Sequence, residues 1–222
     1  MIDGPRLPPA SGAKAQALIV LLHGYGSNGD DLIGLAPYWT KQLPHAQFVS
    51  PNAPTRVAGT ANGFQWFPLS RMDERELELG VENAAGALNN FIDRELEKCA
   101  LDERKLALVG FSQGTMMALH VGVRRKIAPA GVLGFSGALA GAAKLKNEMK
   151  SKPPILLVHG DRDDVIPLPA MLAASEALCA AGHSAQWHIS YGVPHSIGPD
   201  GLELGGDFLA MALKQRAGVV LG

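Results

Sequence analysis

Short apolar runs recur along the chain, and most contain no polar residue in alternation. A strand that is apolar on both faces is typical of a parallel sheet with helices on both sides. The runs of strand length are Leu18–Leu22, Gln47–Ser50, Leu106–Val109, Gly131–Phe135, Ile155–Val158 and Gln186–Tyr191. We predict that each of them is a strand of one mostly parallel sheet.

Between these runs the apolar residues follow a helical period. The clearest case is Glu74–Cys99, where apolar residues recur three and four positions apart and form one stripe. Leu168–Ala181, which ends at Gly182, predicts another helix, and a last helix is predicted from Pro199 to about Gln215. The alternation of strands and helices predicts a single α/β domain over residues 1–222, with helices on both faces of the sheet.

Composition and charge narrow the class of protein. The chain has 222 residues and a formal net charge of −1, which gives no basic surface for nucleic acid or an anionic membrane. The longest early apolar run, Ala17–Leu22, is too short to span a bilayer, and Met1–Arg6 lacks the order of a secretory signal. We therefore expect a cytoplasmic location and no stable membrane association. Two buried free thiols, Cys99 and Cys179, are favoured over one disulfide.

The segment Gly110-Phe111-Ser112-Gln113-Gly114 lies where a predicted strand meets a predicted helix. A serine between two glycines at such a turn is the nucleophile elbow of α/β-hydrolases, because the turn leaves little room for flanking side chains. A serine hydroxyl needs a base to take its proton and an acid to orient that base. In this arrangement the acid and then the base follow the serine along the chain.

The loop after Ile155–Val158 contains Asp161, Asp163 and Asp164, and each of the three is a candidate acid. The turn after the last predicted strand contains His195, which we predict to be the base because its chain order and loop position fit. The other six histidines fit this role less well, because they lie on or beside helices, within a strand, or before the candidate acids: His23, His45, His120, His159, His183 and His188.

A tetrahedral intermediate also needs hydrogen-bond donors for its oxyanion. The backbone N–H of Gln113 follows the serine at a helix N-terminus, where the helix dipole favours negative charge. A second donor is expected from the glycine-rich loop His23–Asp31, which follows an early strand.

Four motifs in register resemble the phospholipase/carboxylesterase family, which includes bacterial carboxylesterases and acyl-protein thioesterases. They are His23-Gly24-Tyr25-Gly26, Gly110-Phe111-Ser112-Gln113-Gly114, His159-Gly160-Asp161-Arg162-Asp163 with Ile166-Pro167, and Pro194-His195-Ser196. The resemblance extends from about Leu18 to Leu213 and implies a small α/β-hydrolase fold with little or no cap.

The resemblance also implies a role for individual residues. By position it implies Ser112 as the nucleophile, Asp163 as the acid, His195 as the base, and the N–H groups of Tyr25 and Gln113 as oxyanion donors. Asp163 is favoured over Asp164 because it is the third residue after the glycine of its motif.

The aromatic segment Phe64-Gln65-Trp66-Phe67 resembles one that family members place near the acyl pocket, although Pro68 follows where an acidic residue is common. We therefore name Trp66, Phe67 and Phe111 as candidate substrate contacts, with ordinary core packing as the alternative for each. The expected function is a carboxylesterase that cleaves esters or thioesters of short to medium acyl chains through an acyl-enzyme. The alternatives are an acyl-protein thioesterase and a lysophospholipase.

Other classes of function are disfavoured. Gly24-Tyr25-Gly26-Ser27-Asn28-Gly29 matches a dinucleotide-binding fingerprint, but Asp30 and Asp31 would repel a pyrophosphate. No His/Cys cluster has zinc spacing, so we expect neither a metal nor a cofactor. A non-catalytic binding module is disfavoured because all the expected catalytic residue types are present. Relatives often dimerise, so a homodimer is an open expectation, with the apolar tail 217–222 packing on itself or on a partner.

Overall fold

The fold is built on a seven-stranded sheet, which we describe from a computed structural model covering residues 1–217. The sheet order is β1-β3-β2-β6-β7-β8-β9, and all neighbours are parallel except β1, which runs antiparallel to β3. Two further short strands, β4 and β5, form a separate antiparallel pair. The strands are β1 (Arg6–Leu7), β2 (Ala17–Leu22), β3 (Ala46–Val49), β4 (Thr55–Arg56), β5 (Phe64–Gln65), β6 (Leu106–Phe111), β7 (Gly131–Phe135), β8 (Ile155–Gly160) and β9 (Gln186–Ser190).

Helices cover both faces of this sheet. They are α1 (Gly29–Ile33), α2 (Ala36–Trp39), α3 (Glu74–Cys99), α4 (Gln113–Gly122), α5 (Ala142–Glu148), α6 (Pro169–Ala180) and α7 (Pro199–Ala217). Successive residues of a strand point to opposite faces. On β2, Leu18 and Val20 accordingly pack in the cluster that contains residues of α3 to α6, whereas Ile19 and Leu21 pack with residues of α1, α2 and α7. The parallel sheet with helices on both faces confirms the predicted fold class.

The predicted strands and long helices are all present, with bounds that differ by a few residues at most. The longest helix, α3, has the predicted bounds because both of its ends are capped. The Asp73 side chain accepts a hydrogen bond from the N–H of Glu76, and Ala100 ends the helix in a left-handed conformation. Helices α2 and α5 were not predicted, because they are too short to show a helical period.

The two cysteines are free thiols, as predicted, but the prediction that both are buried is wrong. Cys99 is half-buried and Cys179 is exposed. On α6 the buried residues are Met171, Ala174 and Leu178, and Cys179 lies one position beyond this stripe. Of the tail 217–222 that was proposed as a packing segment, residues 218–222 lie outside the described part of the chain.

Close packing between β6, α4 and β2 depends on two glycines. A Cβ atom at Gly114 would overlap the carbonyl oxygen of Leu22 at the end of β2, and one at Gly110 would overlap the backbone of Gly114 and Thr115. Because these obstacles are backbone atoms, they cannot move aside as a side chain could. The first turn of α4 therefore lies directly against the end of β2.

We expect Gly114→Ala to lower the free energy of unfolding by several kcal/mol, because the added methyl group separates α4 from β2. The matched control is Gly86→Ala in α3, where an added Cβ meets no atom within 4 Å. Gly86→Ala should raise stability by about 0.5–1 kcal/mol through helix propensity. Urea unfolding of both variants measures the two effects, and a Gly114→Ala variant as stable as the wild-type protein would contradict the packing argument.

Candidate active site

Ser112 lies in the turn between β6 and α4, in a backbone conformation that residues other than glycine rarely adopt. Its φ is 54° and its ψ is −117°. Its N–H donates to the carbonyl of Phe135 (2.9 Å), and its own carbonyl accepts from the N–H of Thr115 (3.0 Å). These bonds hold Ser112 in a backbone conformation that costs about 1–3 kcal/mol. Such strain is often found at functional sites.

Asp163 lies in the loop after β8, and its side chain is completely buried. One carboxylate oxygen, Oδ1, accepts from the backbone N–H groups of Val165 (3.0 Å) and Ile166 (2.9 Å). The other, Oδ2, lies 2.8 Å from Nδ1 of His195. The structure therefore brings two of the predicted site residues, Asp163 and His195, into direct contact.

The charge of Asp163 determines which nitrogen of His195 carries a proton. Burial raises the pKa of Asp163, but the hydrogen bonds from His195, Ile166 and Val165 outweigh it, so the pKa is lowered overall. Asp163 is thus ionised at neutral pH and acts only as an acceptor, so Nδ1 of His195 must be the donor. The Nε2 atom of His195 is then left without a proton in the neutral ring.

The other two candidate acids lie elsewhere in the same loop. Asp161 and Asp164 are both exposed, and Asp161 accepts a hydrogen bond from the N–H of Gly192. Of the three aspartates, only Asp163 contacts His195.

The loop that carries His195 extends back from β9, an edge strand, toward β6 at the centre of the sheet. The imidazole ring of His195 lies 4.9 Å from the ring of Phe111, the residue before Ser112. The hydroxyl of Ser136, after β7, donates to the carbonyl of Ser196 in the same loop (3.4 Å). Within residues 1–217, Ser112 Oγ makes no hydrogen bond to His195. Such bonds commonly tighten only when substrate is bound.

The two predicted oxyanion donors lie in segments next to Ser112: Tyr25 in the loop after β2 and Gln113 at the start of α4. A Cβ on Gly24 would lie only 3.2 Å from Cβ of Ser112, so the loop after β2 passes directly beside the serine. In the described part of the chain, the N–H groups of Tyr25 and Gln113 donate no hydrogen bond to another residue. Both are therefore free to bind an anionic oxygen.

The three aromatic candidates for substrate binding differ in position. Phe111 is half-buried beside the ring of His195. Trp66 and Phe67 are only 2% and 3% exposed and belong to the core cluster on the α3 side of the sheet. They also border a cavity of about 490 Å³ between α3 and the loop that precedes it. Substrate contact stays a prediction for all three, and Phe111 is the one that lies next to the site.

His159 makes a contact with the candidate acid that was not predicted from the sequence. Nε2 of His159 lies 2.7 Å from the carbonyl oxygen of Ile166, so this nitrogen carries the proton, and it is 3.3 Å from Oδ2 of Asp163. His159 thus supports the loop on which Asp163 lies. A spacing of four residues across the end of a strand is not a pattern from which this contact could have been predicted.

Across the described residues, no group of three or more His, Cys, Asp or Glu side chains is placed to share a metal ion. In the same part of the chain, none of the helices has the length and apolarity that a membrane crossing requires. Helix α1, which follows the glycine-rich loop, has only five residues and carries Asp30 and Asp31 in its first turn.

The mostly parallel sheet with helices on both faces, and the strained serine turn between β6 and α4, are those of an α/β-hydrolase fold. Residues 9–213 match the sequence model of the family described as Phospholipase/Carboxylesterase. The chain belongs to this family, and it is a hydrolytic enzyme.

Similarity to individual esterases and thioesterases supports this assignment. The chain is 30% identical over 217 residues to acyl-protein thioesterase 1 of Saccharomyces cerevisiae, covering 90% of this chain and 94% of the relative. It is 27% identical to esterase YpfH of Escherichia coli, covering 91% and 85% of the two chains. Among solved structures, esterase PE8 is 42% identical with a TM-score of 0.90, covering 95% of this chain and 99% of that one.

We expect Asp163→Asn to lower kcat about 10⁴-fold, because an amide can present its N–H to His195 and so stabilise the wrong tautomer. Asp164→Asn is the matched control, since this neighbouring aspartate is exposed, and it should leave kcat within about twofold. Steady-state hydrolysis of p-nitrophenyl butyrate measures both. If Asp164→Asn were the more damaging change, the acid would be assigned to the wrong aspartate.

Proposed function

We propose that this enzyme is a carboxylesterase that cleaves esters or thioesters of short to medium acyl chains through Ser112, His195 and Asp163. The observation that carries the proposal is the 2.8 Å hydrogen bond from His195 to the buried Asp163. The ring of His195 also packs against Phe111. This arrangement supports the proposal because it orients an imidazole next to Phe111, the residue before a serine in a strained turn.

In the proposed mechanism, Ser112 Oγ attacks the carbonyl carbon of the substrate while Nε2 of His195 takes the hydroxyl proton. The carbonyl oxygen becomes an oxyanion and accepts hydrogen bonds from the N–H groups of Tyr25 and Gln113. The bond to the leaving alcohol or thiol then breaks, and His195 returns the proton to that group. Water, activated by the same imidazole, hydrolyses the acyl-enzyme and restores the serine.

Two features support short to medium acyl chains as substrates. The segment between β3 and α3 contains only the two-residue strands β4 and β5 and adds no helix above the site. The half-buried Phe111 offers apolar surface next to His195, and each buried methylene of an acyl chain adds about 0.8 kcal/mol.

Acyl-protein thioesterase activity is the second candidate, because several relatives are named acyl-protein thioesterase 1. Esters and thioesters share the same acyl-enzyme, so the proposed residues serve both. Five other expectations stay predictions: lysophospholipid hydrolysis, a cytoplasmic location, the lack of stable membrane association, a homodimer, and a single domain over residues 1–222.

Ser112→Ala should lower kcat by about 10⁴- to 10⁶-fold, because it removes the covalent route. Ser136→Ala is a matched control, since Ser136 also follows a strand and has a positive φ of 45°. It should lose less than tenfold. After treatment with a fluorophosphonate, mass spectrometry should locate the adduct on Ser112, and an adduct on another serine would exclude Ser112 as the nucleophile.

A matched series of p-nitrophenyl esters and thioesters from two to twelve carbons tests the substrate. We expect kcat/KM to be higher for four to eight carbons than for acetate, following the free energy of burying each added methylene. Equal kcat/KM values at all chain lengths would contradict an apolar acyl site. A thioester preference of more than tenfold at constant chain length would favour the thioesterase alternative.

A further inference from the structure

Trp66 makes contacts that substrate binding does not explain. Its indole N–H donates to the carbonyl oxygen of His23 (3.0 Å), in the loop that carries one proposed oxyanion donor. Its backbone N–H donates to Oε1 of Gln113 (2.8 Å), whose own N–H is the other proposed donor. A single buried residue therefore contacts both segments of the proposed oxyanion hole.

The contact with Gln113 is bidentate. While Oε1 of Gln113 accepts from Trp66, Nε2 of the same amide donates to the carbonyl of Phe67 (2.8 Å). All four groups are buried, so losing either bond would leave polar atoms without partners. The side chain of Gln113 thus fixes the segment 66–67 to the first residue of α4.

The contact with His23 extends to the peptide group of the other donor. Nε2 of the buried His23 accepts from the N–H of Ala53 (2.9 Å), so Nδ1 carries the proton and donates to the carbonyl of Gly24 (2.7 Å). Burial lowers the pKa of His23, which keeps the ring neutral and preserves this pattern.

The carbonyl of Gly24 and the N–H of Tyr25 belong to the same peptide group. This peptide is trans, so the two bonds point to opposite sides of the backbone. By holding the carbonyl, His23 also sets the direction of the N–H. The ring of Trp66 lies 5.8 Å from the ring of His23 and limits its movement.

We propose that Trp66 and His23 are positioning residues that hold the N–H groups of Tyr25 and Gln113 at a fixed separation for the oxyanion. The inference rests on the proposed function, and it gives Trp66 a role different from that of an acyl-pocket wall. Oxyanion stabilisation depends on donors that are already in place, and small displacements reduce it. Loosening this linkage should therefore slow the chemical step without weakening substrate binding.

Trp66→Phe tests this inference, because it keeps an aromatic ring but removes the indole N–H. Trp39→Phe is the matched control. Trp39 is 1% exposed, lies in the cluster on the other face of the sheet, and donates its indole N–H to the carbonyl of Leu202 (2.9 Å). Both substitutions remove one indole-to-carbonyl bond of a buried tryptophan, so their effects on Tm should be similar. Only Trp66→Phe should affect catalysis.

For Trp66→Phe we expect kcat to fall at least about tenfold, less than the 10² to 10³ typical of removing a whole donor. KM for esters of two to eight carbons should stay within about twofold. A trifluoromethyl ketone, whose adduct with a serine carries an oxyanion, should bind more weakly by the same factor as kcat/KM falls. Trp39→Phe should change kcat and the ketone affinity by less than twofold.

Gln113→Met provides a second variant in case Trp66→Phe does not fold. It keeps the backbone N–H of residue 113 but removes both hydrogen bonds to segment 66–67, and it should also lower kcat at constant KM. Because both substitutions break one linkage, the double variant should lose no more than about the larger single loss.

Three results would overturn the inference. The first is a Trp66→Phe variant that behaves like Trp39→Phe in kcat and in ketone affinity. The second is a rise in KM that grows with acyl length at constant kcat, which would make Trp66 an acyl-pocket wall. The third is a wild-type enzyme in which the fluorophosphonate leaves Ser112 unlabelled, which would overturn the proposed function as well.

Discussion

The contact between the first turn of α4 and the end of β2 is the constraint on which the site depends. Gly114 lies so close to the carbonyl of Leu22 that no side chain fits between them. The chain must therefore turn within a few residues after β6. Ser112, in this turn, adopts a strained conformation with a positive φ. The same contact brings the loop after β2, with Gly24, beside Ser112. Backbone packing at the centre of the sheet thus brings together Ser112, the proposed nucleophile, and the two segments that carry the proposed oxyanion donors.

Much of this arrangement could be predicted from the sequence. The strands are apolar on both faces, and α3 repeats its apolar residues with a helical period, so both leave a pattern in a single chain. Parallel strands also bring their carboxyl ends to one edge of the sheet. Motifs at those ends, such as those around Ser112 and His195, are therefore expected near one another even when they are far apart along the chain.

The remainder depends on contacts that leave no local pattern. The hydrogen bonds of Gln113 to Trp66 and Phe67 join residues more than forty positions apart. From the sequence alone, either aromatic residue could belong to the core or to a substrate pocket. The choice among three neighbouring aspartates was likewise open from the residues alone. It depends on which carboxylate is buried against His195, and only Asp163 is. The exposure of Cys179 follows from a helical phase that the apolar pattern of α6 defines only weakly.

The most direct test of the proposed site is a crystal structure of the enzyme after reaction with a short alkyl fluorophosphonate. We predict phosphorus bonded to Ser112 Oγ, with the phosphoryl oxygen about 3 Å from the N–H groups of both Tyr25 and Gln113. We also predict that the bond between His195 and Asp163 is retained. An adduct on another residue, or a phosphoryl oxygen that points away from these two N–H groups, would contradict the proposed site.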